Sequence, residues 1–124
     1  MPKVRYLMSS PVITISPTAT VSEAVRIMAD KRIGSLIVTE NEEIKGIFTE
    51  RDLVSKVLAK GLDPEKTTIS EVMTPAPLVT ITPDAEIAEA ALLMIRKKIR
   101  RLPVIENGKL VGIITAADLY YRVY

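Results

Sequence analysis

The stretch Gly46-Ile47-Phe48-Thr49-Glu50-Arg51-Asp52-Leu53 returns 66 residues later as Gly112-Ile113-Ile114-Thr115-Ala116-Ala117-Asp118-Leu119. The match extends outward without a gap, so that residues 11–58 lie over residues 77–124 with about 20 identical pairs. The two copies agree at turn positions as well as at apolar positions. The chain therefore contains one structural unit of about 50 residues twice.

Each copy follows the order strand, helix, two strands and helix, which the first copy shows clearly. A short strand ends at Pro17, which cannot continue a ladder. The next helix begins with the capping-box pair Thr20 and Glu23 and carries apolar residues at helical spacing. Two β-rich runs then flank the turn at residues 40–42, and a second helix ends near Gly61. Each copy is thus a βαββα unit.

A single unit of this size would leave an apolar face uncovered, so the two copies are expected to pack against each other. This predicts an α+β fold with α/β-like character, in which two βαββα repeats form a pseudo-twofold pair. The predicted boundaries are residues 1–62 for the first repeat, 63–76 for a linker and lead-in, and 77–124 for the second repeat. Apolar residues in the second helices further predict a homodimer.

Composition excludes much of enzyme chemistry. The chain has no cysteine and no histidine, which removes disulfides, thiol nucleophiles and imidazole acid-base steps. We find no base or nucleophile for an enzyme, and we expect no metal site and no required cofactor. No apolar run approaches the roughly 20 residues that span a bilayer, and the first residues lack a signal peptide, so we expect a cytoplasmic protein.

The sharpest local motif is Thr-x-x-Asp, which follows the second strand of each hairpin as Thr49 with Asp52 and as Thr115 with Asp118. Such a pair caps a helix, because the hydroxyl accepts an orphan amide and the acid complements the helix dipole. The same aspartate could also accept the two vicinal hydroxyls of a ribose, with helical amides and cations near a phosphate. One role does not exclude the other.

These motifs together resemble the tandem cystathionine-β-synthase (CBS) domain pair, also called the Bateman module. The resemblance covers nearly the whole chain, and it depends on motifs that occur in order and twice. They are Met-Ser/Thr followed by Pro-x-x-Thr-Ile-x-Pro, the run from Lys98 to Ile105, the run from Asn107 to Thr115, and the two Thr-x-x-Asp turns. The resemblance implies two clefts between the repeats, where AMP, ADP, ATP or an S-adenosylmethionine-like ligand regulates a partner protein.

In this family each cleft draws on both repeats, and adenine is held by aliphatic side chains and main-chain groups of the first strand. Carried over by position, the first cleft would combine Thr49, Asp52, Val79, Arg101 and Pro103. The second cleft would combine Thr115, Asp118, Ile13, Ser35 and Ile37. The family geometry also implies that Arg51 and Arg100 lean toward the second cleft, which would then take more negative charge. The alternative for each arginine is a solvated surface cation.

Two other functions compete with nucleotide regulation. The first is a scaffold that associates with itself or with a partner independently of any ligand. The other, which the sequence favours least, is nucleic-acid binding through a basic cluster made of Arg96, Lys97, Lys98, Arg100 and Arg101. No aromatic residues interleave with that cluster, and a net charge of only +2 gives no general support, so a solvated helix end is favoured there.

Overall fold

The computed structural model describes the backbone of residues 2–123 and the side chains of residues 2–120. The chain divides into two compact units, a central unit (Ile13–Leu78) and a terminal unit that joins both ends of the chain (Met1–Val12 with Val79–Tyr124). Each unit contains one of the two sequence copies. None of the helices in the described part of the chain is long and apolar enough to cross a membrane.

The central unit is built on a four-stranded sheet in the order β1-β2-β3-β4. Strand β1 runs parallel to β2, whereas β2 with β3 and β3 with β4 are antiparallel. The strands are β1 (Thr14–Ile15), β2 (Ser35–Glu40), β3 (Glu43–Thr49) and β4 (Thr74–Pro75). The helices are α1 (Val21–Lys31), α2 (Glu50–Asp52) and α3 (Ile69–Val72).

Helix α1 begins where the sequence predicts and ends in a left-handed residue. The Thr20 hydroxyl accepts the Glu23 amide at 3.2 Å, and the Glu23 carboxylate accepts the Thr20 amide at 3.1 Å, which forms the predicted capping box. The helix ends at Arg32, whose φ of 55° places it in the left-handed region. Its apolar stripe packs on a core with Leu36 and Phe48 at the centre, both fully buried.

The second helix of the central unit differs from the prediction in its geometry. It is α-helical only over Glu50–Asp52 and continues as a π-helix over Leu53–Leu58. The Ala59 amide accordingly donates to the Val54 carbonyl at 2.9 Å, five residues back. Apolar spacing over so short a segment does not distinguish an α-helix from a π-helix, because the two periods differ by less than one residue per turn.

The terminal unit repeats this plan with shorter outer strands. Its helices α4 (Ile87–Lys97) and α5 (Ala116–Val123) flank the hairpin of β5 (Arg101–Glu106) and β6 (Lys109–Thr115). Single bridges replace the outer strands: Ile81 pairs with Val104 in parallel, and Ser9 pairs with Ile113 in antiparallel orientation. These bridges occupy the positions that β1 and β4 occupy in the central unit.

The lead-in segment of each copy packs in the unit of the other copy. Thr74 and Pro75, which precede the second copy in sequence, form β4 on the edge of β3 in the central unit. Ser9, which precedes the first copy, bonds to β6 in the terminal unit, with Ser9 N–H to Ile113 O at 2.9 Å and Ile113 N–H to Ser9 O at 3.1 Å. Each sheet is therefore completed by the lead-in of the other copy, so residues 2–12 belong with the second copy.

The short helix α3 begins with a second capping box, formed by Thr68 and Glu71. Thr68 donates to the Glu71 carboxylate through its amide at 3.1 Å and its hydroxyl at 2.8 Å. These two bonds lower the pKa of Glu71 below the usual 4.5, and the bond from the backbone amide has the larger effect. The stabilisation is complete above the unfolded-state pKa and disappears as the pH falls through the lower folded-state value.

When the pH falls below about 4.5, we therefore expect the Tm of the Glu71→Gln variant to fall less than the Tm of the wild type. The reason is that glutamine keeps a hydrogen-bond acceptor and does not titrate. The measurement is the Tm of both proteins from pH 6 to pH 3. The variant Glu42→Gln, in an exposed hairpin turn, controls for the removal of one surface charge. Parallel Tm curves for Glu71→Gln and the wild type would contradict the expectation.

Candidate functional site

The Thr-x-x-Asp turn of the central unit surrounds a buried carboxylate. Asp52 is only 5% exposed, and its Oδ2 accepts the Thr49 amide at 3.0 Å and the Thr49 hydroxyl at 3.1 Å. Its Oδ1 accepts the Thr74 hydroxyl at 3.1 Å and forms an ion pair with Lys56 Nζ at 3.0 Å. Lys56 Nζ also donates to the Met73 carbonyl at 3.4 Å. The Asp52 carboxylate therefore joins α2 to the π-helix and to β4.

The corresponding turn of the terminal unit has fewer contacts. Asp118 Oδ2 accepts the Thr115 amide at 2.8 Å and the Thr115 hydroxyl at 3.1 Å. The Asp118 amide donates back to the Thr115 hydroxyl at 3.4 Å. Asp118 is partly exposed, and its Oδ1 has no hydrogen bond to any side chain or backbone group in the described part of the chain.

Both turns act as helix caps, as the sequence predicts. In each unit the threonine hydroxyl accepts the aspartate amide, and the aspartate carboxylate accepts the threonine amide. The carbonyl of the residue before the hairpin adds a further bond, since the Glu50 amide donates to Gly34 O at 3.1 Å. The capping role is thus established for both turns, and it leaves the ligand role of the aspartates as a separate question.

The hairpin register brings two predicted site residues beside these turns. Ser35 lies directly across from Thr49 in the central unit, and Arg101 lies directly across from Thr115 in the terminal unit. Ser35 is 9% exposed, whereas Arg101 is partly exposed. In each unit, the strand register therefore places the first residue of the hairpin beside the Thr-x-x-Asp turn of the same unit.

The residues predicted to hold adenine lie on the first strands and on the hairpins. Ile13 immediately precedes β1 and packs against the central core, while Ile37 is fully buried in β2. Val79 packs against the core of the terminal unit. Pro103 is buried in β5, and its carbonyl accepts the Ile81 amide at 3.1 Å. Their contact with a ligand remains a prediction.

The predicted phosphate-side arginines are accessible. Arg51, in α2, and Arg100, just before β5, are both exposed. Of the basic cluster, Arg96 and Lys97 form the last turn of α4, where cations complement the helix dipole. Lys98 ends the helix with a φ of 56°. The location of these three residues is consistent with the helix-end interpretation.

Two residues at the Asp52 turn are absent from the sequence-based set, namely Lys56 and Thr74. Lys56 follows Asp52 by four positions, a spacing at which opposite charges meet on a helix. Thr74 lies 22 residues from Asp52 in sequence, and only the pairing of β4 with β3 brings it there. The first contact was therefore predictable from spacing, whereas the second required the sheet topology.

The two units have the same order of strands and helices, and each contains its own Thr-x-x-Asp turn. The chain is therefore a tandem-repeat α+β protein, which confirms the predicted fold class. The CBS domain model matches twice, over residues 4–59 and 69–124, and the chain belongs to the CBS domain family. The resemblance inferred from the repeated motifs is thereby confirmed.

The uncharacterized protein MK0525 of Methanopyrus kandleri is 46% identical over 110 residues, which cover 87% of this chain and 56% of that protein. The CBS domain-containing protein YhcV of Bacillus subtilis is 37% identical over 119 residues, or 96% of this chain and 84% of the relative. Among solved structures, the CBS domain pair of protein MJ0100 in complex with 5′-methylthioadenosine and S-adenosyl-L-methionine matches with a TM-score of 0.89 and 28% identity. That match covers 99% of this chain and 100% of the other.

Proposed function

We propose that this chain is a regulatory module that binds an adenosine-containing ligand and signals to a partner protein. The observation that carries the proposal is the Asp118 turn, where Thr115 orients the carboxylate through Oδ2 alone. Oδ1 keeps two lone pairs that no described residue uses, and two vicinal ribose hydroxyls supply two donors. Both small molecules in the MJ0100 complex contain an adenosine group, which supports this ligand class.

The ligand would be AMP, ADP, ATP or S-adenosylmethionine, as the family resemblance implies. One proposed set is Thr115, Asp118, Ile13, Ser35 and Ile37. The comparison by position also gives Thr49, Asp52, Val79, Arg101 and Pro103, but the donors of the protein itself already occupy the Asp52 carboxylate. Arg51 and Arg100 would meet the phosphates, since both guanidinium groups are exposed and a guanidinium binds phosphate through paired hydrogen bonds. The module would act without catalysis, as the family resemblance implies.

Association is the second candidate function, and one observation favours it. Val54 is 60% exposed and Leu58 is 58% exposed, both on the π-helix of the central unit. Large apolar side chains on one exposed helical segment suit a self-complementary contact with a second copy. We propose a homodimer on this basis. Sedimentation of the wild type and of a Val54→Lys, Leu58→Lys double variant tests it, with a lower mass expected for the variant.

A thermal-shift series tests the regulatory proposal. The ligand-stripped protein is heated with AMP, ADP, ATP or S-adenosylmethionine, and with GMP and GTP as controls. A ligand at 100 times its Kd stabilises the folded state by about 2.7 kcal/mol, which raises the Tm by about 10 °C for a chain of this size. We expect at least one adenosine ligand to raise the Tm and the guanosine compounds to have no effect. No shift with any adenosine ligand would favour the association role.

A further inference from the structure

The two acidic turns have equivalent sequences but unequal hydrogen bonding. An ionised carboxylate has about four lone-pair positions for donors. At Asp52 four donors occupy them: the amide and hydroxyl of Thr49 on Oδ2, and the Thr74 hydroxyl and Lys56 ammonium on Oδ1. With 5% of the residue exposed, Asp52 has no remaining acceptor capacity and almost no accessible surface.

One difference between the turns comes from the strand beside each one. In the central unit the edge position next to β3 holds Thr74, whose hydroxyl reaches both oxygens of Asp52 at 3.1 and 3.4 Å. In the terminal unit the edge position next to β6 holds Ser9, which bonds to Ile113 through its backbone only. No described residue therefore takes the place of Thr74 at Asp118.

We propose that Asp52 is a structural latch and that Asp118 alone supplies the carboxylate for the ligand ribose, so that the chain binds one adenosine ligand. A vicinal diol needs two acceptor positions, and at Asp52 it would have to displace both Thr74 and Lys56. The latch instead fixes β4 and the segment leading to it against α2. The ligand half of this inference rests on the proposed function, whereas the latch half depends on the Asp52 contacts alone.

The test compares Asp52→Asn with Asp118→Asn, because each change keeps the size of the side chain and removes its charge. Asp52→Asn removes the ion pair of a buried carboxylate and places an amide NH2 group among hydrogen-bond donors, so we expect the Tm to fall by about 8 °C. Asp118→Asn alters only a partly exposed cap, and we expect a fall of about 3 °C or less. These Tm values are measured without ligand, so they test the latch even if no nucleotide binds.

Calorimetric titration of AMP, ATP and S-adenosylmethionine into the same proteins tests the ligand half. We expect one binding site per wild-type chain, about 30-fold weaker binding for Asp118→Asn, and a change of about twofold or less for Asp52→Asn. Two sites per chain, or loss of binding in Asp52→Asn with an unchanged Tm, would overturn the inference.

If Asp52→Asn does not fold, Thr74→Val removes one latch donor while keeping the side-chain shape. We expect this variant to show a Tm about 4 °C lower and an unchanged affinity for whichever of the three ligands binds the wild type. An unchanged Tm for Thr74→Val would contradict the latch. No binding of any of the three ligands to the wild type would contradict the proposed function, together with the ligand half, and would leave the Tm comparison as the test of the latch.

Discussion

The Phe48→Ala variant is expected to lose about 4 kcal/mol of unfolding free energy, because the change deletes the largest fully buried side chain among the described residues and leaves a cavity. Phe48 lies in β3 opposite Leu36, in the core cluster that also contains Met28 and Val57. The core cannot collapse onto this position without moving the sheet, since β3 is bonded to strands on both sides. A loss of this size is a large fraction of the stability of an ordinary domain.

The matched control for this prediction is Phe48→Ile, because the second copy has the fully buried Ile114 at the aligned position. Isoleucine keeps much of the apolar volume, and we expect it to cost about 1.5 kcal/mol. The chain has no tryptophan, so urea unfolding is best followed by circular dichroism. A loss below about 1 kcal/mol for Phe48→Ala would show that Phe48 does not form the centre of this core.

The Gly46→Ala variant is expected to lose about 2 kcal/mol, because a methyl group at this position would meet the edge strand. An added Cβ would lie 2.5 Å from the Thr74 carbonyl oxygen and 2.8 Å from Met73 Sδ. The carbonyl belongs to the backbone of β4, which pairs with Gly46 through Pro75. Relief of this overlap requires β4 to move, with a cost typical of an overpacked site.

Gly112→Ala provides a matched comparison in the terminal unit. There the added Cβ would meet Met8 Sδ at 2.5 Å and Cγ at 2.9 Å, while the backbone oxygen of Ser9 is farther away at 3.2 Å. A methionine side chain can change rotamer more readily than a strand can move, so we expect a loss of about 1 kcal/mol. Equal losses for the two variants would contradict the assigned role of the β4 backbone.

The features that the sequence predicts well are local ones. The capping box of Thr20 and Glu23 and the apolar stripe behind it predicted α1, because both signals lie within one helix. The Asn-Gly pair at residues 107 and 108 is typical of a tight hairpin turn, and both residues have the positive φ that such a turn requires. The repeat itself then transferred each prediction from one copy to the other.

The features that the sequence did not predict depend on contacts between distant segments. No local signal shows that residues 2–12 complete the sheet of the second copy, because the lead-in motif is the same in front of both copies. The sequence therefore predicted equivalent roles for Asp52 and Asp118. Two contacts distinguish the Asp52 carboxylate, namely the ion pair with Lys56 and the Thr74 hydroxyl, which only the pairing of β4 with β3 brings to it.

The central claim is that this CBS domain protein binds an adenosine ligand, and isothermal titration calorimetry of the purified, ligand-stripped chain tests it most directly. AMP, ATP and S-adenosylmethionine are titrated in turn, with GMP and GTP as controls for the base. We expect micromolar binding of at least one adenosine ligand, no heat from the guanosine compounds, and one site per chain. The absence of binding heat from every adenosine ligand at millimolar concentration would contradict the claim.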